Sequence, residues 1–338
     1  MSSKHIGKQT VKLADPPSII GSASVVGKKE GEGPLSDTFD HIGDDSFFGE
    51  KSWEKAESTM MRKSVAMACE KAGIPTSAIQ FAFAGDLLNQ CISSGFCMRE
   101  MGVPFFGIYG ACSTMGEALA LAAMTVDGGF ADIVSASTSS HFCSAERQFR
   151  TPLEYGGQRT PTAQWTVTGA GTTILSKTGD GPYITHITQG VVTDNGIKDA
   201  NNMGAAMAPA AYQTLSAHFK DLEISPMHYD AIITGDLGAI GSEILQDFFE
   251  SDGISLAGLH TDCGVLIFDR QKQDVHAGAS GCGCAASVFN GFILGKLKRR
   301  EWNRILFAPT GALLSTTSTM QGESIPCICT AITVSNIK

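Results

Sequence analysis

IQFAFAGDLLNQ, residues 79–90, returns in altered form as DAIITGDLGAIG, residues 230–241. Each is a short apolar run that ends in Gly-Asp-Leu. Runs of this length, bounded by glycine, read as strands buried on both faces. A helical pattern precedes each one, over residues 51–73 in the first case and 205–222 in the second. The correspondence extends outward. GACSTMGEALALAAMTV (110–126) and GCGCAASVFNGFILGKL (281–297) are both glycine- and cysteine-bearing loops that open a helix. GGFADIVSASTSS (128–140) answers to REWNRILFAPTGALLS (300–315), and TGAGTTILSK (168–177) to PCICTAITVS (326–335). Strands alternating with helices imply crossover connections and a sheet covered by helices. The expected fold is α/β, with two pseudo-repeated βαβαβ-type halves over residues 1–178 and 179–338. The turn-rich SKTGDGP (176–182) is the expected joint, and a pocket is expected at the seam.

Composition narrows the function. The chain has 338 residues, enough for a large core, with 43% hydrophobic and 17% charged residues, so it folds rather than remaining disordered. Its formal net charge of −9 argues against nucleic acid, whose binding rests on Lys and Arg neutralising phosphates. The first residues carry no apolar core of a secretory signal, and no apolar run reaches membrane-spanning length. Ten cysteines without a signal segment read as reduced thiols. The pairs Cys282/Cys284 and Cys327/Cys329 are too tightly spaced for a zinc site. GKLKRREWNR (295–304) concentrates basic residues; it reads as a solvated helix end, with docking on an acidic partner or lipid surface as the other reading.

The loop at Cys112 carries the chemical question. A tight turn before a helix places the thiol near unpaired N–H groups and the positive end of the helix dipole. Those effects suit a thiolate nucleophile, a bound carboxylate, or neither if the cysteine only fills space. A nucleophile needs a base. The candidates are His141, after a strand end, and His260 and His276, on either side of a strand expected at 265–268.

At this point the residues resemble a known family. The repeat with a first-half cysteine at a helix start is similar to the thiolase superfamily. Within it, the chain resembles the stage V sporulation protein AD family, through GKQT (7–10), KEGEGPL (29–35), FAGDLLNQ (83–90), GACSTMGE (110–117), TSSH (138–141) and AERQFRTPLEYGGQ (145–158). MGAAMAPAA (203–211), TGDLGAIGSEIL (234–245), GCGCAAS, PTGALLS (309–315) and ESIPCI (323–328) continue the match. The resemblance implies a thiolase-like fold in αβαβα layers and a homodimer. It also implies a dipicolinic-acid-binding protein, peripheral to the forespore or spore inner membrane, that works with the other SpoVA membrane-complex proteins in dipicolinate uptake and release. No cofactor is implied; calcium enters only as the chelate of dipicolinate.

Thiolase-type condensing enzymes pair the cysteine with His/His or His/Asn partners from the second half. Here those places fall at Gly235–Asp236 and at Cys282. A carboxylate at Asp236 would repel a developing oxyanion, and loss of one such donor costs about 10²–10³ in rate. Binding is therefore expected instead of condensation, with an acyl-thioester enzyme using Cys112 as the alternative. The expected ligand-binding set is Cys112, Ser113 and Thr114 at the helix start, Ser139, Ser140 and His141, and Arg147 and Arg150 as guanidinium partners. Asp86, Asn89, Asp236 and Cys282 complete it. The two aspartates are expected to cap turns, or to hold calcium if the chelate binds.

Overall fold

The computed structural model describes residues 4–149 and 159–338; Arg150 lies outside the described residues. The long strands in chain order are β1 (Ser18–Val26), β2 (Phe81–Gly85), β3 (Phe105–Gly107), β4 (Ile133–Ser140) and β5 (Gly169–Ser176), then β6 (Tyr183–Gln189), β7 (Ala231–Gly235), β8 (His260–Asp262), β9 (Arg304–Ala312) and β10 (Cys327–Ser335). They form one array in the order β8-β7-β9-β10-β6-β1-β5-β4-β2-β3. Read outward from the β6/β1 seam, both sides have the same order, 1-5-4-2-3 and 6-10-9-7-8. The directions match too: β2 is parallel to β3 and β4 as β7 is to β8 and β9, while β5 and β10 run antiparallel to their neighbours. The seam itself is thin, a single pairing of Tyr183 with Ser18.

Helices complete the layers. α1 (Trp53–Ala72) and α2 (Ile92–Met101) cover the outside of the first half, and α5 (Met203–Leu222) with α6 (Gly238–Ser251) the outside of the second. α3 (Thr114–Asp127) and α7, which begins as Cys282–Val288, lie between the two sheets. α4 (Phe142–Phe149) follows β4. Three apolar clusters match these layers: a central one around Met115, Leu119, Phe289 and Phe307, and outer ones around Met60, Met61 and Ile174 and around Met207, Leu245 and Phe249. The mid-layer helices approach very closely because their contact points lack side chains. A Cβ on Gly283 would overlap the Gly169 carbonyl, and one on Gly311 the carbonyl of Gly110. The second contact locks the end of β9 onto the Cys112 loop.

Residues 265–268 are not a strand. Asp262 ends β8, its carboxylate accepts the Gly264 N–H at 2.9 Å, and residues Cys263–Leu266 turn as a short helix. The cap overrides the β-branched composition that pointed to a strand. All ten cysteines are free thiols. Among the described residues, no helix is long and apolar enough to cross a membrane. The basic run at 295–304 is largely committed: Lys296 and Arg299 both pair with Glu301, and Lys298 is part-buried against Ser22.

Candidate functional site

The loop before α3 is held by its own side chains. Ala111 has φ +53, a left-handed conformation that costs a non-glycine residue about 1–2 kcal/mol and turns the chain sharply into the helix. Thr114 Oγ1 donates to the Ala111 carbonyl at 2.6 Å and accepts the Gly110 N–H at 3.1 Å; Ser113 Oγ donates to the Gly110 carbonyl at 2.8 Å. Both hydroxyls thus stabilise the loop and neither faces a ligand. Cys112 is left at the wall of a cavity of about 270 Å³, shared with Leu87, Tyr109, Phe149, Gln164 and Ala312.

Two expected partners reach Cys112 from the second half. Asp236 follows β7 with φ +77, and Cys282 opens α7. Asp236 acts on Cys112 and Cys112 on Cys282, so the three form one electrostatic cluster, and all three are buried. Burial, then Asp236, pushes the Cys112 thiol well above its ordinary range, and the N–H groups of Gly281 and Ala312 offset only part of this. Cys282 is pushed up by burial and then by Cys112, and its thiol donates to the Ser139 carbonyl at 2.9 Å. Burial first, then Asp262, drives the Asp236 carboxyl well above the carboxylate range. The Gly281 N–H and the Cys284 thiol offset only part of this. Asp262 is pushed up only to about 6, because the Thr234 hydroxyl and the N–H groups of Leu237, Gly238 and Gly264 all donate to it. Cys112 is the one of the three that lines the cavity; Asp236 and Cys282 are fully buried beside it, and burial disfavours the charged form of each. No histidine among the described residues lines the cavity, and the acidic side chain on its wall, Glu146, is paired with Arg159.

The other expected residues sit elsewhere. His141 is fully buried with both nitrogens engaged. Nε2 lies 2.7 Å from the Ser46 carbonyl, and Nδ1 accepts the Cys143 N–H at 3.1 Å. It is a neutral structural side chain, held below its usual pKa by burial, and not a base for Cys112. His260 contacts the Thr234 hydroxyl at 2.9 Å and is pushed down to about 4 by burial; His276 pairs with Asp274. Ser139 Oγ donates to Glu57 at 2.9 Å and Ser140 Oγ to the Val167 carbonyl at 2.7 Å. Asp86 caps its turn by accepting the N–H groups of Leu88 and Ser94 at 2.9 and 2.8 Å. It lies beside Glu57, which burial and Asp86 push up to about 8. Asn89 and Arg147 line a separate surface hollow, where Arg147 pairs with Glu54 and lies over the Trp53 ring at 5.3 Å.

Three contributors escaped the sequence reading. Tyr109, two residues before Ala111, lines the cavity although the residue is exposed. Gln164 Nε2 donates to the Asp236 and Ala279 carbonyls at 2.5 and 3.1 Å and so ties the loop after β7 to the wall. Arg159 pairs with Glu146, itself on the wall, at 2.8 Å, donates to the Gln164 carbonyl at 2.8 Å, and stacks over Phe142 and Trp165 at 5.2 and 4.7 Å. The available signal was the run Arg159 to Trp165, a cation followed by one aromatic residue just beyond AERQFRTPLEYGGQ.

Residues 7–335 match the model of the family described as stage V sporulation protein AD. The stage V sporulation protein AD of Bacillus subtilis (strain 168) is 44% identical over 325 residues, 96% of each chain. Among solved structures, Xanthomonas campestris OleA is similar with a TM-score of 0.60 at 16% identity, covering 99% of both chains. The 3-oxoacyl-[acyl-carrier-protein] synthase III of Aquifex aeolicus VF5 is similar with a TM-score of 0.57 at 12% identity, covering 93% of this chain and 99% of that one. At those identities the likeness shows a thiolase-like fold and carries no activity across.

Proposed function

Because the chain belongs to the stage V sporulation protein AD family, we propose that it binds dipicolinic acid, free or as its calcium chelate, and catalyses no acyl transfer. One observation carries the reading: Cys112 lies on the cavity wall with Asp236 and Cys282 buried beside it, burial disfavours the charged form of all three, and no histidine among the described residues lines the cavity. A thiol held above its usual pKa is a poor nucleophile, and the carboxylate on the cavity wall, Glu146, is held in an ion pair with Arg159.

The same cavity suits a flat aromatic diacid. At about 270 Å³ the cavity is at the small end for ligand pockets, matched to one ring rather than a long acyl chain. Leu87, Phe149 and Ala312 give apolar walls for the ring. The Ala312 N–H and the Tyr109 hydroxyl are donors for carboxylates. The Arg159–Glu146 pair adds a buried cation at the rim. In this reading the protein works at the periphery of the spore inner membrane, as a homodimer with the other SpoVA-complex proteins, in dipicolinate uptake by the developing spore and release on germination.

Calorimetric titration of dipicolinate, with and without calcium, tests this on the native chain, on Ala312→Phe, which fills the cavity, and on Tyr109→Phe. Sub-millimolar binding lost in Ala312→Phe and weakened in Tyr109→Phe is expected, with no acyl-CoA turnover. Turnover abolished by Cys112→Ala, without dipicolinate binding, would replace this reading with an acyl-thioester enzyme.

A further inference from the structure

A second cavity, of about 310 Å³, lies at the opposite end of the second half's sheet. β9 begins at Arg304 on this cavity and ends at Ala312 on the Cys112 cavity. At about 3.3 Å per residue the two are roughly 26 Å apart, so this site is independent of the one proposed for dipicolinate.

Its wall is basic. Lys12, His186, His228, Arg304 and Lys338 line it, and among the described residues no Asp or Glu does. Arg304 Nη1 donates to His228 Nε2 at 2.8 Å, which fixes that imidazole as a neutral acceptor. His186 Nδ1 meets the Thr185 hydroxyl at 3.0 Å. Burial, then Lys12, Arg304 and His228, pushes His186 down to about 4. The carboxylates of adjoining elements are engaged away from the cavity. Asp230 accepts the N–H groups of Asn303 and Arg304 at 2.6 and 3.0 Å, and Asp221 accepts those of Lys8, Gln9 and Thr10 at 2.8–3.0 Å.

A buried polar chain ends at the same place. Thr10 Oγ1 meets Thr188 Oγ1 at 2.8 Å, Thr188 meets His218 Nδ1 at 2.7 Å, His218 Nε2 meets the Tyr229 hydroxyl at 2.5 Å, and Tyr229 meets Thr333 Oγ1 at 3.1 Å. Tyr229 and Thr333 line the cavity. Burial holds His218 down to about 3 and Tyr229 up to about 12, so the chain is neutral and adds donors without adding negative charge. Cations converging on a concave site without a counter-charge repel one another, and an anion relieves that repulsion.

We propose that this cavity binds a small oxyanion of two or more negative charges, of the phosphate or phosphate-monoester type. Arg304 supplies a planar fork for two of its oxygens and Lys12 a point charge, with Tyr229 adding a hydroxyl.

Free phosphate and the monoester phosphate of phosphatidic acid present the same chemistry. Calorimetry of inorganic phosphate on the full chain, against chloride at equal ionic strength, reads the first; flotation with phosphatidic acid vesicles reads the second. Saturable phosphate binding is expected, weakened about tenfold or more by Arg304→Gln, the size of one charged hydrogen bond. Lys296→Gln, at a lysine paired with Glu301, and the cavity-filling Ala312→Phe leave it unchanged. Flotation that Arg304→Gln abolishes assigns the site to headgroups; phosphate binding without flotation assigns it to a soluble ligand. Lys12→Gln, at an exposed side chain, carries the same test should Arg304→Gln fail to fold. Absence of both signals, or signals unchanged in Arg304→Gln and Lys12→Gln, overturns the proposal.

Discussion

Asp236→Asn is a direct probe of the buried cluster beside the cavity. The substitution keeps the size of the side chain, and Asn tolerates the left-handed backbone at φ +77. It removes one thing, the ability to ionise. Asp236 is fully buried, and its carboxyl is held well above the carboxylate range by burial and by Asp262, with the Gly281 N–H and the Cys284 thiol offsetting only part of this. A carboxyl whose folded pKa is raised contributes stability that is fully present below the unfolded pKa, and this contribution is lost as pH rises toward the folded one. Between the unfolded pKa and the folded one, the unfolded side chain is ionised while the folded one keeps its proton. Over that window the native chain loses about 1.4 kcal/mol per pH unit through this group. Asn has no such loss. Urea unfolding at half-unit pH steps will show the two chains converging near pH 4 and the variant gaining steadily above pH 5. Parallel stability curves, or a variant less stable than the native chain at pH 7.5, would mean an ionised Asp236 and would refute the dominance of burial there.

Other consequences are measurable. Gly311→Ala forces a methyl against the Gly110 carbonyl, and overpacking of this kind costs about 1–3 kcal/mol; an unchanged urea midpoint would show that β9 does not lock the Cys112 loop. Iodoacetamide at pH 7.5 should modify the half-buried Cys143 and spare the buried Cys112 and Cys282, with peptide mass spectrometry as the readout; labelling of Cys112 first would restore a reactive nucleophile. Arg159→Met should weaken dipicolinate binding, because it removes the cation held at the rim by Glu146, while retained calorimetric affinity would place the ligand away from that rim.

The fold was legible because its strands are buried on both faces and so read as continuous apolar runs. The two Gly-Asp-Leu turns mark β2 and β7, which occupy equivalent places on the two sides of the array. The short helix at Cys263–Leu266 was misread because a single carboxylate cap, at Asp262, decided its conformation. In the site, Cys112, Asp236 and Cys282 were found because each opens or closes a repeated element. Ser113, Thr114, Ser139, Ser140 and His141 were overcounted: residue type shows that a polar group is near the loop, but not that its hydrogen bonds are already used by Gly110, Glu57, Val167 and Ser46. Tyr109, Gln164 and Arg159 lay outside any repeated element and reach the cavity only through tertiary packing. The charge of Asp236 was not legible either, because it depends on burial and on Asp262, which is 26 residues away in sequence.

The crystal structure of the protein grown with dipicolinate tests the central claim most directly. The account predicts one planar ring between Leu87, Phe149 and Ala312, with a carboxylate within hydrogen-bond distance of the Ala312 N–H and the Cys112 sulfur unmodified. A Cys112 cavity without ligand at saturating dipicolinate, or an acyl group bonded to Cys112, would contradict it.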